Sequence, residues 1–269
     1  MKIISSSGGL FSPEFYKKKQ KAKRIKLLVY CLLFLVSCTI LVSFFRWEKF
    51  LINEVVLAEE IAIDREEILD AVQEKLSGYY FYVIPKSNAL IYRRGLTKER
   101  LVEEFPRFKS LDLNLDGFNK LIISGTEYEP FALYCVTSDN CYFLNENGFI
   151  FRQAPVFSEG VYFVYQRPID EPLGKDFLPQ AEFRALANFI KNISILSVEA
   201  KVFDADNDYR LRLKSGGEII WKRESDLNVI YSNLEAFLSD EAIATQKDFL
   251  DKVSQLDLRT EDKVFWKFK

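Results

Sequence analysis

The 269-residue chain contains no histidine. That removes the commonest general base at neutral pH, the Ser-His-Asp triad and most zinc sites. Enzymes without histidine exist, so the absence weakens the case for catalysis without closing it. Cysteine is scarce, with four residues in two pairs. Internal repeats are absent, and low-complexity sequence is confined to the first 24 residues. Long apolar runs are also rare. The one present, Leu27–Phe45 (LLVYCLLFLVSCTILVSFF), has nineteen residues and no charge. At helical rise it spans ~28 Å, close to the hydrocarbon thickness of a bilayer. It reads as a single membrane crossing.

The flanks give the crossing a direction. Residues 17–26 (KKKQKAKRIK) hold seven Lys or Arg and no acid, whereas Arg46 and Lys49 are mixed with Glu48, Glu54, Glu59 and Glu60. Cations near a membrane stay cytoplasmic, so residues 46–269 are expected outside. A cleaved signal peptide would have a shorter apolar core and a small-x-small site. Here the run ends in SFFRWEKF, which fits an uncleaved signal anchor. It has no small-xxx-small glycine pattern, so it reads as a tether rather than a packing helix.

Residues 1–26 carry a net +7 and the whole chain −2, which leaves −9 for the exterior part. An acidic exterior argues against nucleic acid as a partner. The basic tail has no apolar period and reads as disordered, free to touch anionic lipid. The 224 residues beyond position 45, in a chain 48% hydrophobic and 15% aromatic, suffice for two small domains.

Cys31 and Cys38 lie within the membrane run on one helical face. Cys135 and Cys141 flank Val136-Thr-Ser-Asp-Asn140, turn chemistry between β-rich FALYC and CYFL. A hairpin would set these two opposite one another, in a compartment that permits oxidation. A Cys135–Cys141 disulfide and a pair of free thiols both stay open. Two thiols at this spacing lack the further ligands that zinc needs.

Along the exterior, Phe50–Leu57 is β-rich. Asp64-Arg-Glu-Glu67 opens a helix that closes at Gly78, and Tyr79–Ile84 leans to β. A second capping signal at Thr97 leads to Pro106. Leu111, Leu113 and Leu115 alternate toward the Asp116-Gly117 turn, and the return strand is Asn119–Thr126. The rest is mainly strand: Cys141–Leu144, Gly148–Phe151, Val161–Gln166, Ile195–Phe203, Asp208–Lys214, Glu218–Lys222 and Lys263–Phe268. Helices are expected over Gln180–Lys191, from a Ser225 cap to Leu238, and around Ala244–Val253. The fold class is α+β.

In this order the motifs resemble the FtsQ/DivIB family of bacterial division proteins. The resemblance rests on the basic tail and anchor, Phe105-Pro106, Leu121-Ile-Ile, and Glu127-Tyr-Glu-Pro130-Phe-Ala132. It continues through Asn145-Glu-Asn-Gly148-Phe-Ile-Phe151, Gly217-Glu-Ile-Ile220, Leu256-Asp-Leu-Arg259 and Val264-Phe-Trp-Lys267. Three features depart from the family: Ala58-Glu59-Glu60 replaces a glycine, Asn145 replaces an aspartate, and Tyr80–Leu96 aligns poorly.

The resemblance implies a cytoplasmic tail over 1–24, an anchor over 25–45, a POTRA-like β-α-α-β-β domain over 50–127 and an FtsQ-type β domain over 128–269. It implies no catalysis, no cofactor and no small-molecule substrate. The expected protein is a type II, single-pass protein of the bacterial plasma membrane at the division septum. Its expected partners are FtsB/DivIC-like and FtsL-like proteins, and its expected effect is on septal peptidoglycan synthesis. The implied binding strand is Val264, Phe265, Trp266, Lys267 and Phe268, used as an open sheet edge.

The alternative is a membrane-anchored cell-wall hydrolase with paired carboxylates, for which Asp204, Asp206 and Asp208 are candidates. That run lacks the glycine and glutamate of a calcium loop and reads as a solvated turn. An outer-membrane assembly factor would need a barrel of many strands, for which the remaining ~140 residues are too few. Asn192-Ile-Ser194 matches a glycosylation sequon and is taken as chance.

Overall fold

The computed structural model describes residues 13–58, 65–137, 139–155, 161–193, 198–205, 207–246, 248–261 and 263–269. Expectations that rest on Asp64, Ser138, Ser194 and Asp206 lie outside them. The fold is mixed α+β, with one apolar helix long enough to cross a membrane among the described residues.

That helix, α1 (Pro13–Phe45), begins well before the apolar run. The lysine-rich segment from Pro13, expected as disordered, continues it. Lys, Arg, Gln and Ala are good helix formers, and an apolar helix already formed removes the nucleation cost. At 33 residues α1 is ~50 Å long, so its basic end extends past a ~30 Å hydrocarbon layer.

Then come β1 (Glu54–Leu57), α2 (Arg65–Leu76), β2 (Tyr79–Tyr80), β3 (Ile84–Pro85), α3 (Arg94–Glu104), β4 (Phe108–Asp116) and β5 (Lys120–Glu127). The sheet order is β1–β5–β4, with β1 parallel to β5, and β2–β3 is a separate two-residue hairpin. The amphipathic face of α2 buries Ile68, Ala71, Val72 and Leu76. Thr97 does not cap its helix. α3 starts three residues earlier, and the Thr97 N–H donates to the carbonyl of Arg93, the residue just before the helix.

The remainder forms a nine-stranded sheet. Its strands are β6 (Ala132–Cys135), β7 (Cys141–Leu144), β8 (Ile150–Gln153), β9 (Val164–Gln166), β10 (Val198–Ala205), β11 (Asp208–Leu213), β12 (Glu218–Lys222), β13 (Val253–Thr260) and β14 (Lys263–Phe268). The helices α4 (Gln180–Ile193) and α5 (Leu227–Ser239) and the single turns α6 (Glu241–Ala244) and α7 (Phe249–Lys252) join them. The spatial order is β14–β13–β12–β11–β10–β9–β6–β7–β8.

On β11, Tyr209, Leu211 and Leu213 are buried, while Arg210 and Arg212 alternate with them on the other face. The buried side meets Phe183, Leu186 and Ile190 of α4 and Ile230 and Leu234 of α5. Leu133, Cys135, Phe143 and Phe151 form a smaller cluster of their own.

Two further sequence assignments change. Asp226, not Ser225, caps α5, with its carboxylate accepting from the Asn228 N–H at 2.8 Å. The helix expected over Ala244–Val253 is two separate turns. Asp248 sits at φ 62° between them, a left-handed backbone that a continuous helix cannot contain.

The chain divides into two compact units, residues 1–97 with 113–123 and residues 98–112 with 124–269. The dividing line between these units crosses the β4–β5 hairpin.

A candidate strand-addition edge

The nine-stranded sheet has two ends, and they are finished differently. At one end lies β8. A crossing segment covers its start: the Ile150 N–H donates to the Lys175 carbonyl at 2.9 Å, and the Gly174 N–H to the Ile150 carbonyl at 2.8 Å. Phe149 also bridges Asp176. The aromatic clusters around Phe143 and Phe151 hold that end in place.

At the other end lies β14. Its single strand neighbour is β13, and no described strand occupies its outer side. Half of its backbone N–H and C=O groups therefore face away from the sheet. The strand is held by its inner side and its end. The Ser254 hydroxyl donates to the Lys267 and Phe268 carbonyls at 3.0 and 3.2 Å, where the register with β13 shifts. The Lys269 N–H donates to the Lys252 carbonyl at 3.0 Å. The Lys269 ammonium donates to the Asp251 carbonyl at 2.7 Å and to the Ser215 carbonyl.

Register decides where the side chains go. Trp266 lies opposite the buried Leu256, so it shares the helix-covered face. Its ring meets Phe237 of α5 at 5.2 Å, and Phe268 meets Phe249 of α7 at 5.8 Å. A hollow of about 240 Å³ between α5 and β14 is lined by Asn233, Ala236, Phe237 and Val264. Phe265 lies opposite Asp257 and so occupies the polar face. Phe265, Trp266 and Phe268 remain 55%, 46% and 48% exposed, an unusual concentration of aromatic surface on one strand. Lys263 and Lys267 flank them, with Val264 half-buried.

The polar face beside Phe265 is organised by Arg259. Its guanidinium donates to both Asp257 carboxylate oxygens at 2.9 and 2.6 Å and to Asp208 at 3.1 Å. The hydrogen bond from Arg259 holds the Asp257 carboxyl below its ordinary range, and Asp257 in turn holds Arg259 charged. Asp208, one of the candidate carboxylates of the hydrolase reading, is thus a structural ion-pair partner here.

The five residues proposed for partner binding fall together on β14. Cys135 and Cys141 lie elsewhere, opposite one another on β6 and β7 and joined by a disulfide. Sequence reading missed Phe237, which extends the apolar ledge from α5. A signal was present: Phe237 and Leu238 widen the apolar stripe beyond what Ile230 and Leu234 need to face the core.

Chemically, the edge can accept a strand. Each added backbone hydrogen bond contributes ~0.5–1.5 kcal/mol net, and a well-buried aromatic ~2–4 kcal/mol. No protein-family model matches the chain, and no curated protein matches it.

Proposed function

We propose that this chain is a non-catalytic, single-pass membrane protein of the bacterial division machinery that captures a partner by adding the partner's strand to β14. The observation that carries the proposal is β14 itself, an unpaired edge bearing exposed Phe265, Trp266 and Phe268, at the opposite end of the sheet from an edge whose start is covered. On the FtsQ/DivIB resemblance the partner is an FtsB/DivIC-like protein with an FtsL-like companion, and the consequence is regulation of septal peptidoglycan synthesis. The order of β1, α2, the β2–β3 hairpin, α3, β4 and β5 supports a POTRA-like reading of residues 50–127. Residues 128–269 then serve as the binding domain. The basic N-terminal segment supports a cytoplasmic N-terminus, with both domains on the outer face of the plasma membrane at the septum.

The test is a proline scan of Lys263–Lys267 in the full chain, co-expressed with FtsB-like and FtsL-like proteins. Proline removes a backbone donor. At positions whose N–H faces outward it should abolish capture and leave the melting temperature close to wild type. At the alternate positions it should break the β13 ladder and lower stability. Full capture by every stably folded variant would overturn strand addition. Failure of the unaltered chain to bind either partner would overturn the division reading.

A further inference from the structure

The unit containing α1 presents a second aromatic surface, remote in sequence from β14. The β2–β3 hairpin turns through Phe81 and Tyr82, which are 90% and 97% exposed. Both have positive φ, 49° and 60°, in a turn closed by the Val83 N–H donating to the Tyr80 carbonyl. Such backbone favours Asn and Gly, and two bulky aromatics there are strained. A turn needing only to reverse the chain gains nothing from side chains that are both strained and bare. Strain of this kind points to use of the side chains.

The hairpin is fixed to the end of the apolar helix. The buried Asn88 side chain donates to the Phe45 carbonyl at 2.7 Å, and the Arg46 guanidinium lies 5.5 Å from the Tyr79 ring. β3 runs against the same helix end. The Ile52 N–H donates to the Ser87 carbonyl and the Ala89 N–H to the Phe50 carbonyl, each at 2.8 Å. Trp47 and Phe44 meet Phe50, which meets Phe118 at 5.3 Å, so a ladder of rings surrounds the point where α1 ends. Arg46 and Lys49 alternate with Phe44, Trp47 and Phe50 in sequence, with Glu48 among them, and the Arg93 guanidinium lies 5.3 Å from the Tyr80 ring. Aromatic rings mixed with Lys and Arg are the composition of the bilayer headgroup layer.

We infer that the Phe81–Tyr82 tip inserts into the headgroup–acyl boundary of the leaflet where α1 emerges, as a second membrane contact. The inference rests on α1 being the membrane anchor. With two separated contacts the unit cannot swivel about α1, and its orientation to the bilayer is set.

The test uses the full chain in phosphatidylglycerol–phosphatidylethanolamine vesicles, with no other protein present. In a Cys31→Ser, Cys38→Ser background, an environment-sensitive fluorophore is placed by Tyr82→Cys, or by Glu66→Cys on the exposed side of α2. A third sample carries the label on native Cys38. The Tyr82 label should shift blue and be quenched by nitroxide-bearing lipid but not by an aqueous quencher, while the Glu66 label behaves oppositely. A Tyr82 label as water-exposed as that at Glu66, with the Cys38 label quenched by lipid, would overturn the inference while leaving the anchor intact. A Cys38 label that lipid does not quench would overturn the anchor reading and the inference with it.

Discussion

Glu182 shows how a single side chain ties a helix to the sheet. Standing on α4, its carboxylate accepts from the Arg223 guanidinium at 2.6 and 3.0 Å and from the Tyr209 hydroxyl at 2.6 Å. The Arg223 hydrogen bonds hold its carboxyl below the usual 4.5, against the opposing effect of burial. Unfolding returns the group to that usual value, so as pH falls the unfolded chain takes up the proton first. The contribution is therefore complete at neutral pH and fades as pH drops through 4.5 toward the folded value. Glu182→Gln should cost about 1–2 kcal/mol at pH 7 and progressively less in acid, measured as melting-temperature differences across pH. Asn145 illustrates a different point. It stands where the motif that the sequence resembles has an aspartate, and its side-chain oxygen accepts from the Asn147 and Phe149 N–H groups at 2.9 and 3.0 Å. A carboxylate oxygen would accept the same two bonds. Gly148 completes that turn at φ 83°, where a Cβ would stand 2.5 Å from the Phe183 ring.

Among the elements, strands with clean alternation were legible and boundaries governed by local hydrogen bonds were not. Tyr209, Leu211 and Leu213 announce β11 by period two, and Lys263–Phe268 emerges as β14 with those bounds. The Asp226 cap and the left-handed Asp248 were not legible. Ser225 and Asp226 are both good caps, and although aspartate enters the left-handed region more readily than most residues, nothing local singles out Asp248 among the chain's aspartates. The faces of the residues on the proposed binding strand are not legible in the sequence. Reading them requires the register shifts between β13 and β14, which depend on partner strands distant in sequence. The β6–β7 hairpin carries the Cys135–Cys141 bond, and the loop it closes is short. Loop-closure entropy then gives a modest stabilisation, ~2 kcal/mol. Replacing both cysteines by serine should lower stability by about that amount in denaturant titrations, with capture of the partner unchanged because β14 lies at the far end of the sheet.

For the whole molecule, the apolar run and the α+β class were readable from sequence because both rest on long patterns. The helical extension back to Pro13 was hidden, since a lysine run reads equally as a solvated tail. The absence of a small-residue pattern in α1 carries a prediction at this scale. Exchanging Leu27–Phe45 for an unrelated anchor of the same orientation should leave partner capture on β14 undiminished in membranes. A loss of capture would show that α1 contributes contacts of its own.

The asymmetry of the sheet ends has one more effect. An exposed edge invites copies of the same chain to pair, and a sheet open at both ends can grow without limit into fibrils. Here the segment around Gly174–Asp176 occupies the start of β8, which shortens the stretch at that end open to a second copy. Two copies joined β14 to β14 would form a dimer. The sheet is thus more open at β14 than at β8, and a partner strand that occupied β14 would remove the dimer as well.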